Sequence, residues 1–140
     1  MNTIIKSDKS SLKESIIFTE ESIDGILKRI DHCSSTIVII DKNVNRIYPD
    51  IFADFPKIVI HAVESNKTLE TVLYIYEKLI KLEADRHTFL LGIGGGIVCD
   101  ITGFIASTYM RGIRFGYIAT TLMAQVDAAI GGKNGVNVLR

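Results

Sequence analysis

At 140 residues the chain is close to one domain of ordinary size and leaves no room for two full domains. With 47% hydrophobic residues, 23% charged and only 2 Pro, its composition is that of a packed globular chain, which excludes the disordered, collagen-like and low-complexity classes. Sixteen basic residues balance sixteen acidic ones, so no bulk positive field draws in nucleic acid or an anionic membrane, and any anionic ligand has to be held locally.

In chain order, the predicted elements begin with a β-branched strand at 15–19 and a helix at 20–30, where Ile23, Ile26, Leu27 and Ile30 form an apolar stripe. A strand at 36–40 follows, apolar almost throughout, as a strand covered on both faces in a parallel sheet has to be. Residues 43–55, punctuated by Pro49, read as one short helix and a loop. A strand at 57–62 leads to a helix at 67–84 with a stripe of Leu69, Val72, Leu73, Tyr76, Leu79 and Ile80. A strand at 88–93, a helical run to Tyr109 and a strand at 114–119 complete the set. Alternating strands and helices imply right-handed βαβ crossovers, and so an open parallel α/β sheet of Rossmann-like type with helices on both faces. In such a sheet the chemistry belongs just beyond the carboxyl ends of the strands.

The most informative junction is Gly94-Gly95-Gly96, which joins a strand to a helix. Glycines there let a pyrophosphate approach backbone N–H groups at a helix N-terminus, although a tight turn without a ligand would need them equally. The G-x-G-x-x-G fingerprint is absent, because Ile97 stands where its third glycine would be. Asp100, placed in the first turn of that helix, serves either the macrodipole or a ribose or nicotinamide group. Asp41, with Asn43 two residues on, either accepts from ribose hydroxyls or caps a helix. Glu64 and Lys67 flank Ser65-Asn66, and they bind a nucleotide or form a solvated helix start. Thr120-Thr121 act as hydroxyl donors to a ligand or as an ordinary cap. Lys133, set among Gly131, Gly132 and Gly135 and six residues after Asp127, can hold a phosphate as a point charge, and Arg111 adds a cation suited to bidentate contact.

Cys33 and Cys99 match no metal or redox spacing, so they read as small apolar fillers in a reducing compartment. His32, His61 and His87 are scattered as surface or strand-end residues without metal-ligand spacing. The polar N-terminus, MNTIIKSDKSSLKES, lacks the apolar core of a signal peptide, and no run reaches the roughly 18 apolar residues of a membrane span. The expectation is a soluble cytoplasmic protein.

The stretch LGIGGGIVCDITGFIASTYMRGIRFGYIATTLMAQVDAAIGGKNGVN, from Leu91 to Asn137, resembles the 3-dehydroquinate synthases. GGG with Asp100, TYMRG, TTLMAQVD and IGGKNGVN match together and in order. GGG followed by Asp also occurs in glycerol and iron-dependent alcohol dehydrogenases, whereas TTLMAQVD and GGK separate the groups. The resemblance implies an NAD-binding domain spanning 1–140, with Asp41, Asn43, Glu64, Lys67, Gly95, Gly96, Ile97, Asp100, Thr120 and Thr121 facing the cofactor and Arg111, Asp127 and Lys133 facing the substrate. It also implies a lyase of the shikimate pathway, typically a homodimer, that converts 3-deoxy-D-arabino-heptulosonate 7-phosphate to 3-dehydroquinate and phosphate. NAD is used catalytically, and a divalent metal, zinc or cobalt, is held by a C-terminal helical domain.

Family chains are well over twice this length, so the sequence reads as a fragment that lacks turnover and binds NAD weakly. Cys99, Ala119 and Val63 stand where the family often has Gly, Pro and Gly. The alternatives are another sugar phosphate cyclase, of inosose or valiolone type, and a non-catalytic nucleotide-binding or dimerisation module.

Overall fold

The computed structural model describes residues 35–138 together with Gly25. The predicted strand 15–19 and helix 20–30, with His32 and Cys33, lie outside the described residues. In order, the elements are β1 (Thr36–Asp41), α1 (Lys42–Ile47), β2 (Lys57–Ile60), a 3-10 turn (Glu64–Asn66), α2 (Leu69–Lys81), β3 (Phe89–Gly94), α3 (Gly96–Thr108), a second 3-10 turn (Tyr109–Arg111), β4 (Arg114–Ala119) and a π-helical turn (Ala124–Ala128). They belong to one unit, Cys33–Arg140.

The four strands form one parallel sheet in the order β2-β1-β3-β4, as the alternation of strands and helices requires. Ile37, Val38, Ile39 and Ile40 of β1 are all buried, which accounts for its unbroken apolar run. Ile37, Ile39, Ile58, Ile60 and Leu90 share a core with Val72, Ile75 and Leu79 of α2 and Val98, Ile101 and Ile105 of α3. The steps from β2 to β3 and from β3 to β4 run in one direction and the step from β1 to β2 in the other. Right-handed crossovers therefore put α2 and α3 on one face and the short α1 on the opposite face.

Two local readings are corrected by the structure. The helix predicted over 67–84 spans Leu69–Lys81, and its buried face is Val72, Ile75 and Leu79. Leu73 and Ile80, assigned to that face from the sequence, are 60% and 65% exposed. Apolar side chains ring most of α2, so periodicity alone does not choose its buried face. Thr68 caps this helix, accepting from the Thr71 N–H at 3.4 Å. Ahead of β3, Asp85 accepts from the backbone N–H groups of His87 at 2.8 Å and Thr88 at 3.1 Å, and these bonds hold its carboxyl below the usual carboxylate range.

Candidate functional site

The direction of winding reverses at β1, whose successor β2 lies on one side and β3 on the other. In open α/β sheets a crevice opens at such a reversal, outside the carboxyl ends of the strands. Here its walls are the end of β1, with Asp41, and the end of β3, with Gly94-Gly95-Gly96. A Cβ added to Gly94 would lie 3.3 Å from Asp41 Cβ and only 2.5 Å from Val98 Cγ2. The first glycine is thus required for β3, α3 and the end of β1 to come together. Added Cβ atoms at Gly95 and Gly96 would meet Thr121 Cγ2 at 3.3 Å and Ala128 Cβ at 3.6 Å, so the segment after β4 forms the third wall.

α3 starts at this turn with Gly95 at its N-cap, and no side chain caps it. The first helical bond is donated by the Cys99 N–H to the Gly95 carbonyl at 3.1 Å. The amides of Gly96, Ile97 and Val98 precede that bond, at the positive end of the helix dipole and next to the crevice. The Thr120 N–H donates to the Gly94 carbonyl at 2.9 Å, extending the β3–β4 ladder to the crevice rim. Thr121 Oγ1 accepts from the Ala124 N–H at 3.3 Å, which is a capping role. Asp41 also caps, accepting from the Asn43 N–H at 3.4 Å, so its carboxylate combines a cap with a place at the rim.

Of the remaining cofactor candidates, Lys67 and Asp100 pair with each other and Glu64 pairs with Asn137. Lys67 Nζ donates to Asp100 Oδ2 at 2.5 Å, with each side chain about one-fifth exposed. Asp100 is the fifth residue of α3 and lies beyond its first turn, so Lys67 and not the macrodipole is its partner. The Glu64 carboxylate accepts from Asn137 Nδ2 at 3.0 Å.

The substrate candidates separate. Lys133 Nζ lies 3.9 Å from Asp127 Oδ1, both well exposed, on the segment that borders the crevice. Arg111 does not join them in this chain. It follows α3 and precedes β4, whose first residue Arg114 pairs with Phe89 at the amino edge of the sheet, while Ala119 pairs with Gly94 at the carboxyl edge. Five strand steps, roughly 17 Å, separate the two edges. Arg111 is exposed there, with a φ of 68°. Within this chain Arg111 therefore lies at the edge of the sheet opposite the glycine turn.

Cys99 is fully buried, and burial pushes its thiol up to about 12, so it is an inert filler that faces the interior and not the crevice. His61 and His87 are exposed at the end of β2 and in the turn before β3. Among the described residues no three His, Cys, Asp or Glu side chains gather into a set that could hold a metal, and no helix is long and apolar enough to cross a membrane.

Sequence reasoning missed a clamp over α3. Tyr117 OH donates to Asn134 Oδ1 at 3.2 Å, directly above Gly103, where an added Cβ would meet that oxygen at 2.1 Å. Burial raises the Tyr117 phenol well above its ordinary value, so it remains a donor. Val136 packs against the core, and the Asn137 N–H donates to the Lys67 carbonyl at 2.7 Å. The only signal in the sequence was the clustering of Asn134, Gly135 and Asn137 after Lys133.

The family described as 3-dehydroquinate synthase N-terminal matches residues 57–140, more than half of the chain. The chain belongs to this family. It is 50% identical over 98 residues to the 3-dehydroquinate synthase of Pyrococcus abyssi, covering 70% of this chain and 28% of that one. It is 41% identical over 124 residues to the 3-dehydroquinate synthase of Ruminiclostridium cellulolyticum, covering 89% and 31%. The chain thus spans less than a third of the length of either relative. Among solved structures, it is similar to ValA, the 2-epi-5-epi-valiolone synthase of Streptomyces hygroscopicus subsp. jinggangensis 5008, which has NAD+ and Zn2+ bound. The TM-score is 0.71 at 36% identity, over 77% of this chain and 33% of that one. A member of the 3-dehydroquinate synthase N-terminal family thus has its glycine turn at the reversal of the sheet.

Proposed function

We propose that this chain is the NAD-binding α/β part of a 3-dehydroquinate synthase, a cytoplasmic homodimer when whole. The whole protein would convert 3-deoxy-D-arabino-heptulosonate 7-phosphate to 3-dehydroquinate and phosphate, with catalytic NAD and a divalent metal. The observation that carries this reading is the glycine turn at the sheet reversal, kept bare by the 2.5 Å approach that a Gly94 Cβ would make to Val98. Its amides are suited to a pyrophosphate, and the carboxylate of Asp41 across the crevice is suited to ribose hydroxyls. The 36% identical ValA, which has NAD+ bound, supports the choice of dinucleotide.

In this reading Gly95, Gly96 and Ile97 contribute main-chain donors, Asp41 and Asn43 lie at one rim, and Thr120 and Thr121 form the other. Glu64 and the Lys67–Asp100 pair flank the cofactor. Bound NAD supplies the transient oxidation of a substrate hydroxyl, which acidifies the neighbouring C–H. Lys133, oriented by Asp127, holds the leaving phosphate by charge and positions it. The described residues offer no metal-ligand set, and no role is assigned to a metal within them. The chain by itself is expected to bind NAD weakly and to release no phosphate.

The test is a graft that replaces the matching segment of the Pyrococcus abyssi enzyme with residues 35–138 of this chain. The graft is expected to convert the heptulosonate phosphate with release of phosphate, and Lys133→Ala within it to lower kcat/KM at least about a hundredfold. A folded graft that binds NAD but releases no phosphate would refute the assignment.

A further inference from the structure

The segment after Lys133 runs back over α3 and ends against the residues that introduce α2. Asn137 makes three links there. Its N–H donates to the Lys67 carbonyl at 2.7 Å, it forms a parallel bridge with Thr68, and its side-chain Nδ2 donates to Glu64 Oε1 at 3.0 Å. At the other end of the segment Asn134 is pinned by Tyr117 over Gly103. Any residue but proline at 137 could make the backbone link, whereas only a side-chain donor can address the Glu64 carboxylate. That bond is exposed to solvent, so it adds little to stability and acts mainly by fixing where the carboxylate points.

We propose that Asn137 is a positioning residue that couples the Glu64–Lys67 segment to the loop bearing Lys133, so that seating the cofactor and placing the phosphate-holding lysine are one event. This rests on the function proposed above. An aspartate at this position would keep the backbone link while setting a second carboxylate against Glu64, and the two repel. The other charged groups at this junction are the Lys67–Asp100 pair and Glu70, which bonds to the Thr68 side chain. His61 also lies here, with its carbonyl accepting from Asn66 Nδ2 at 3.0 Å. All of them are present in both proteins.

The experiment is calorimetric titration of the 140-residue chain and of Asn137→Asp with NAD at pH 7.5 and pH 5, with melting curves alongside. The variant is expected to bind about fivefold more weakly at pH 7.5 and still more weakly than the parent chain at pH 5, where exposed carboxylates remain largely ionised. Its melting temperature is expected to stay within about 2 °C of the parent. Equal affinities at both pH values would overturn the coupling and leave the proposed function standing, whereas a parent chain that binds no NAD would overturn both. Should Asn137→Asp fail to fold, Asn137→Ser keeps the backbone link with a shorter donor. It is expected to weaken binding at both pH values alike, and unchanged binding by it would equally refute the role.

Discussion

Gly94→Ala is expected to abolish dinucleotide binding and to lower stability by about 1–3 kcal/mol, the usual cost of overpacking a close-packed interior. The added methyl group would lie 2.5 Å from Val98 Cγ2 and 2.9 Å from Val98 Cβ, in a helix residue that is completely buried and has no room to retreat. Relief has to come from α3 moving away from β3, which carries the N-terminal amides of the helix out of the crevice. The double variant Gly94→Ala with Val98→Ala removes the clashing atoms and is expected to regain part of the binding, even though it leaves a cavity. Calorimetric titration with NAD and urea unfolding of the parent, single and double variants check both effects. A Gly94→Ala chain with parental affinity would show that the close approach of β3 and α3 is irrelevant to the ligand.

Leu90→Ala is expected to cost about 2–5 kcal/mol, against a total stability that is typically about 5–15 kcal/mol for a domain. Leu90 is fully buried on the central strand β3, in register with Ile37 of β1 and Phe115 of β4, and belongs to the core shared with α2 and α3. Its loss would leave a void where the layers meet. The loss is expected in the unfolding midpoint and not in the affinity of the molecules that remain folded, because Leu90 is four residues from Gly94 at the other end of the strand. Chemical denaturation followed by circular dichroism checks the stability, and titration corrected for the folded fraction checks the affinity.

The parallel sheet was legible because the run from Ile37 to Ile40 has no polar face to give to water, and because each strand is followed by a helical segment. The glycine turn was legible for the same reason, since it falls where a strand ends. The place of Arg111 was legible too: a residue after a helix and before a strand lies at the amino edge of its own sheet, away from the glycine turn. The Lys67 partner of Asp100 was not legible, because it is 33 residues away. The clamp of Asn134 and Asn137 was signalled only by the clustering of those residues, since its partners Tyr117 and Glu64 are 17 and 73 residues distant and its key requirement is an empty Cβ position at Gly103. Contacts of that range are set by the completed sheet and leave no local periodicity.

The central claim is that the crevice between the ends of β1 and β3 seats a dinucleotide, and titration of the 15N-labelled chain with NAD, followed by amide NMR shifts, tests it most directly. Saturating shifts are expected at Gly95, Gly96, Ile97 and Val98, together with Asp41 and Thr120 across the crevice. A spectrum that does not respond to NAD, or shifts gathered around Arg111 and Arg114 at the opposite edge, would contradict it.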